Sequence, residues 1–266
     1  MTDLTLDSLF GQLWQRYAAL TPQADAIRQL FEGRGETVIN DHVAFRTLND
    51  HRLGIDKIAA PFLSLGYEAK DEYRFEQKKL FARYYAHEDE TRPKVFISEL
   101  LLEECSDDVR QAMEHIIDQM TEEQLSDPLM LNSGRCWKSD FATYERLYEE
   151  SEYAAWFSAF GFCANHFTVF VNALEGFKNL EELASFIEDA GYPMNRSGGL
   201  VKGSPEVYLE QCSTMATKVT VSFEDGEHEL PSCFYEFAKR FEMPAGGLYQ
   251  GFVAASADKI FESTNR

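Results

Sequence analysis

A strand that opens on histidine and leads through a helix to a glycine-tyrosine pair occurs twice in this chain. The first copy begins His42-Val43-Ala44-Phe45-Arg46-Thr47-Leu48 and reaches Gly66-Tyr67; the second begins Asn165-His166-Phe167-Thr168-Val169-Phe170-Val171 and reaches Gly191-Tyr192. The spacing from histidine to glycine differs by one residue between copies. Two diverged copies of one unit restrict the fold sharply, because each must bury its apolar face against a neighbour. In the first, Ile55, Ile58, Ala59, Phe62 and Leu65 mark the helix, and strand-like text follows from Tyr73 to Ala86 and Lys94 to Leu102. In the second, the helix runs from Leu180 to Ala190, with strands at Val207 to Ala216 and Lys218 to Phe223. The expected fold is α+β, two repeated βαβββ-type modules with added helices.

The remaining text supplies those helices. Leu6, Leu9, Phe10, Leu13, Trp14, Tyr17 and Leu20 repeat at helical spacing, and Thr21-Pro22 ends that helix and starts another. Residues 106 to 160 are acidic and helical, with an apolar stripe of Val109, Met113, Ile116, Ile117 and Met120, beside which His115 reads as a structural histidine. No Pro/Gly/Ser-rich linker divides the chain. The expected organisation is one domain over 1–266, with N-terminal helices (1–35), a first module (36–104), a helical insertion (105–160), and a second module with C-terminal segment (161–266).

Composition excludes several functions. A net charge of −20 repels phosphate backbones and anionic membrane surfaces, so nucleic acid and membranes are not expected partners. MTDLTLDSLF lacks the basic start and apolar core of a signal peptide, and the expected location is cytoplasmic. Five cysteines without a C-x-x-C pair suggest reduced thiols rather than disulfides or a zinc-thiolate centre. No G-x-S-x-G and no phosphate-binding glycine loop is present.

The chemistry-bearing candidates lie on the repeated strands. Alternation places His42 and Arg46 on one side of the first strand and His166 with Thr168 on one side of the second. Glu210 sits in the apolar text Val207-Tyr208-Leu209-Glu210-Gln211-Cys212, where an ionised carboxylate needs a cation. A metal held by His42, His166 and Glu210 would meet that need, and two imidazoles with one carboxylate leave positions open for substrate and dioxygen, as in non-haem iron(II) oxygenases. Glu99, in Lys94-Val95-Phe96-Ile97-Ser98-Glu99, is the rival third ligand. Glu210 paired to a lysine or arginine, and Arg46 paired to a nearby acid, are the plainer alternatives.

A repeated module with histidines on the opening strands resembles the vicinal oxygen chelate superfamily, which implies that the two modules form a curved mixed sheet around a metal site. Within it, His42-x-x-x-Arg46, Asn165-His166-Phe167-Thr168, Leu209-Glu210-Gln211-Cys212-Ser213 and the tail from Gly251 to Phe261 resemble the 2-oxoadipate dioxygenase/decarboxylase family, over about residues 5 to 262. The resemblance implies that His42, His166 and Glu210 hold Fe(2+) and that Arg46 grips a substrate carboxylate. It further implies conversion of a 2-oxo dicarboxylic acid, 2-oxoadipate foremost, and dioxygen to 2-hydroxyglutarate and carbon dioxide, on a lysine breakdown route. Two other readings use the same scaffold. A glyoxalase-like isomerase or lyase would consume no dioxygen, and a metal-free small-molecule binding protein would use the histidines only as polar pocket groups.

Overall fold

The computed structural model describes residues 4–264. Ten strands and nine α-helices lie among these residues. The first module comprises β1 (Asn40–Leu48), α3 (Ile55–Ser64), β2 (Tyr67–Phe75), β3 (Leu80–His87) and β4 (Lys94–Leu100); the second comprises β5 (Ala164–Phe170), α8 (Leu180–Asp189), β6 (Lys202–Ser204), β7 (Leu209–Ser213) and β10 (Phe234–Arg240). Together they form one curled eight-stranded sheet in the order β2-β3-β4-β1-β5-β10-β7-β6. β1 and β5 meet antiparallel at the centre, while β4 runs parallel to β1 and β10 parallel to β5, so each module repeats the other's connectivity. Gly66 and Gly191 both end their helices at φ 93°, a left-handed conformation that costs glycine little. That shared requirement explains why the glycine-tyrosine pair recurs.

Two details differ from the sequence expectation. The text from Tyr73 to Ala86 divides into β2 and β3 at a turn through Lys79, whose φ is 55°. Lys218 to Phe223 is a strand, β8, but it pairs only with β9 (Gly226–Pro231) in a separate hairpin. The sheet strand that completes the second module is β10, beyond that hairpin.

Helices cover both faces. α1 (Leu6–Leu20), started by a capping box between Thr5 and Ser8, buries Leu9, Leu13 and Tyr17 and sets Trp14 and Tyr17 against Phe167. α2 (Pro22–Gly33) sets Phe31 against Phe237, and α3 sets Phe62 against Phe45. Phe45, Phe167 and Phe237 are odd-numbered, so the even-numbered residues of β1, β5 and β10 point to the other face. That second face is covered by α7 (Glu152–Phe160) and by α9 (Ala254–Ile260) with the turn after it. Tyr153 ties α7 down: its hydroxyl accepts from the Thr47 amide and donates to the Ser98 carbonyl. α4 (Asp107–Asp118), α5 (Glu122–Ser126) and α6 (Phe141–Glu150) make up the rest of the helical segment between modules. Among the described residues no helix is long and apolar enough to cross a membrane.

Candidate metal centre

His42 and His166 converge on the face covered by α7 and α9, and the third group beside them is Glu236 of β10. The donor atoms of His42, His166 and Glu236 all lie within 4.8 Å of one another, and all three residues are buried. Nε2 of His166 is 3.1 Å from Oε2 of Glu236, and Nε2 of His42 is 3.8 Å from its Oε1. Strand register produces the convergence. His42 lies opposite Thr168 on β5, and Thr168 lies opposite Glu236 on β10, which brings His42 and Glu236 to one level of the sheet.

Glu210 is elsewhere. It lies opposite Lys239, with the Glu181 carboxylate of α8 near it, on the face packed against the first helices. Its neighbour Gln211 faces the histidines instead, because successive strand residues alternate. Cys212 shares the side of Glu210, away from the histidines. Glu99 also points away from the histidines, and its carboxylate accepts from the Ile55 amide at the start of α3.

Each histidine is aimed by the residue before it. Nδ1 of His42 donates to Oδ1 of Asp41 at 2.7 Å, and Nδ1 of His166 donates to Oδ1 of Asn165 at 3.1 Å. Both arrangements leave the Nε2 lone pair facing inward, the tautomer a metal ligand requires. A register shift between Asn40 and His42 inserts one extra residue in β1, which lets Asp41 reach the ring of its own neighbour. Burial, then the neighbouring charge of His42, then that of Arg46, pushes the His166 pKa well below its ordinary value, so this imidazole is neutral. Burial raises the Glu236 pKa, with partial relief from His42 and from the Gln211 amide, which donates to Oε1 at 2.5 Å. A buried acid beside the neutral His166 imidazole calls for a counter-charge, and a divalent cation would supply it. The donor set therefore fits a metal.

The modules are not chemically equivalent. Lys94 lies opposite His42 as Phe234 lies opposite His166, so two residues on, Phe96 holds in the first module the register position of Glu236 in the second. An apolar ring there limits the cluster to three donors. The free space beside them is about 20 Å³, and Phe96, Gln211, Phe252 and Phe261 border it.

Arg46 shares the face of His42 and is buried between the rings of Tyr153 and Trp156, each 4.8 Å away. Its Nη1 donates to both carboxylate oxygens of Glu152, at 2.9 and 3.1 Å, and Nη2 donates to the Thr264 hydroxyl at 3.1 Å. Nε is buried with no partner among the described residues. The ion pair with an acid is therefore present, and one donor of the guanidinium is left unused.

Lys94 faces the same side, only 7% exposed, with no hydrogen bond or ion pair among the described residues. Burial pushes its pKa down to about 8. Because the unfolded chain holds this proton up to about pH 10.4, stability from this group should rise with pH between about 8 and 10.4. Lys94→Met should stabilise the metal-free protein at pH 7 by on the order of 3 kcal/mol. Denaturant melts of both proteins at pH 7 and pH 10 check this, since the difference should shrink at the higher pH.

The family model for 2-oxoadipate dioxygenase/decarboxylase matches residues 13–135 and 129–247. A protein of Arabidopsis thaliana named 2-oxoadipate dioxygenase/decarboxylase, chloroplastic, is 32% identical, over 97% of this chain and 76% of its own length. The crystal structure of a hydroxyglutarate synthase from Oryza sativa, in complex with 2-oxoadipate, superposes with a TM-score of 0.90 at 31% identity, covering 97% of this chain and 91% of that one. A structure from Shewanella frigidimarina that carries a provisional hydrolase name has the same TM-score of 0.90 at 50% identity, covering 96% and 99%. This chain belongs to the 2-oxoadipate dioxygenase/decarboxylase family and is an enzyme of that kind.

Proposed function

We propose that the chain is a non-haem iron(II) dioxygenase/decarboxylase that converts 2-oxoadipate and dioxygen to 2-hydroxyglutarate and carbon dioxide, with His42, His166 and Glu236 as the metal ligands. The convergence of two imidazoles and one carboxylate, with a phenylalanine in the place of a fourth donor, carries this reading. The reaction balances without another co-reactant. The first carboxylate leaves as carbon dioxide, one oxygen atom completes a carboxylate at the former keto carbon, and the other becomes a hydroxyl on the adjacent carbon. Iron(II), when bound, supplies the one-electron chemistry that dioxygen requires.

The chain's own residues bind and orient. Asp41 and Asn165 hold the imidazoles in the ligating tautomer, and Phe96, Phe252 and Phe261 keep the surroundings apolar and exclude water. Arg46 is the group for the far carboxylate, since its unpaired Nε and the adjoining Nη2 form one edge of the guanidinium fork while Glu152 holds the opposite nitrogen. In a protein of net charge −20, such a fixed cation gives a dianion a reason to enter. The space now beside the donors holds about one water, so the side chains bordering it must move outward as the acid binds.

Protein loaded with iron without oxygen should consume dioxygen with 2-oxoadipate and release one carbon dioxide per dioxygen. Absence of uptake across 2-oxo acids of increasing length would overturn the assignment. Arg46→Lys should retain iron and raise the KM for 2-oxoadipate by roughly 10- to 100-fold, because an ammonium cannot reproduce the planar pair. Steady-state oxygen uptake alongside metal content tests this, and an unchanged KM would remove Arg46 from substrate binding.

A further inference from the structure

One amide beside the three donors has its oxygen unpaired among the described residues. Nε2 of Gln211 donates to Glu236, which fixes the orientation of the amide, since turning it over would oppose two oxygens. Its Oε1 is then a buried acceptor with no partner among the described residues, in a side chain that borders the cavity of His42, His166 and Glu236. Neighbouring donors are committed elsewhere. The Thr168 hydroxyl stands on β5, two strands away from β7, and the Ser213 hydroxyl is paired with Ser263. Lys202, directly opposite Gln211 on β6, donates its ammonium to the carbonyls of Asn195 and Leu200. A buried acceptor left unpaired carries its full desolvation cost, so a donor brought by a ligand would bind well there.

Substrate and product of the proposed reaction differ in this respect. A 2-oxo dicarboxylate at neutral pH offers only carboxylate and keto oxygens, all acceptors. The 2-hydroxy acid formed from it has one O–H donor, on the carbon that is oxidised. Resting on that reaction, we propose that Oε1 of Gln211 accepts the hydrogen bond of the newly formed hydroxyl, so that Gln211 recognises the product and fixes the face on which the hydroxyl stands. It is a positioning residue, which neither binds the metal nor transfers a proton.

The test uses protein loaded with cobalt(II) and calorimetric titration with each enantiomer of 2-hydroxyglutarate and with glutarate, which lacks the hydroxyl. Wild type should prefer one enantiomer. Gln211→Met should weaken that enantiomer about tenfold and leave glutarate within about twofold, the loss of one neutral hydrogen bond. With iron and dioxygen the same variant should give product of reduced enantiomeric purity. Equal weakening of glutarate and 2-hydroxyglutarate, or an unchanged enantiomer preference, would overturn the proposal. Should Gln211→Met fail to load cobalt, Gln211→Asn, which keeps the amide but withdraws it by one methylene, is measured in the same way. Wild type that takes up no oxygen with iron and 2-oxoadipate removes the reaction itself, whereas normal uptake with unchanged enantiomer preference in the variant removes only the role of Gln211.

Discussion

Glu236→Gln is expected to abolish iron-dependent oxygen uptake and to weaken divalent-metal binding by more than about 100-fold, while Glu210→Gln changes neither by more than about twofold. The amide removes an anionic ligand, a larger loss than the 10- to 100-fold that outer-shell changes typically produce. Glu210 lies on the opposite face, beside Lys239 and Glu181, so its neutralisation alters only a partly exposed charge. The metal-free proteins should also differ. Burial raises the Glu236 pKa in the fold, so the ionised carboxylate destabilises the apoprotein, fully so above that raised value, and the penalty disappears below the unfolded carboxyl pKa. Metal-free Glu236→Gln should therefore melt higher than metal-free wild type at pH 7, the two converging near pH 4. Added metal should reverse the order, because only wild type gains from binding. Thermal melts with and without cobalt(II) check both statements, and a metal-loaded Glu236→Gln protein as stable as metal-loaded wild type would remove Glu236 from the ligand set.

The repeat made much of the fold legible. Histidine, helix and glycine-tyrosine recur because two strands meet antiparallel at the sheet centre and each needs the same helix exit, and so His42 and His166 could be paired from the text alone. The third donor of the cluster was hidden by an insertion. β8 and β9 occupy the place in the text where the module's last strand would fall, and they displace that strand to Phe234–Arg240. One signal was available there: Phe234-Tyr235-Glu236-Phe237-Ala238, an acid alone in an apolar run, occupies the module position of Lys94-Val95-Phe96-Ile97-Ser98. Glu210 misled because its text is apolar too, yet the face to which a strand residue points depends on register against neighbours that the sequence does not show. Alternation placed Arg46 on the face of His42, where it lies. Its hold on Glu152 and Thr264, 106 and 218 residues away, is long-range packing that no local pattern encodes.

Arg240→Met is expected to destabilise the protein by about 3–5 kcal/mol and to weaken metal binding as well, although Arg240 is not one of the three donors. Its Nε and Nη2 donate to the two oxygens of Asp41 at 2.6 and 2.8 Å, and Nη1 donates to the carbonyls of Tyr249 and Gly251, which fixes the segment leading to Phe252. Asp41 is fully buried; burial would raise its pKa, but the charge and hydrogen bonds of Arg240, helped by His42, hold it far below the usual carboxylate range. The stabilisation from this depressed pKa is complete above the unfolded value near 4 and is lost as pH falls toward the folded one. Without Arg240 the sign reverses: burial would favour the protonated acid, so the deficit of the variant should be larger at pH 7 than at pH 4. The second module supplies the remedy. Asn165 aims His166 through the same side-chain oxygen that Asp41 offers His42, with a neutral amide in place of the anion. The double variant Asp41→Asn/Arg240→Met should therefore recover all but about 1–2 kcal/mol and regain metal affinity, because the imidazole is still held and no unpaired charge remains buried. Denaturant unfolding and cobalt titration of the single and double variants decide the matter, and a double variant no more stable than Arg240→Met would show that the carbonyl contacts of Arg240, rather than its pairing with Asp41, hold this part of the site together.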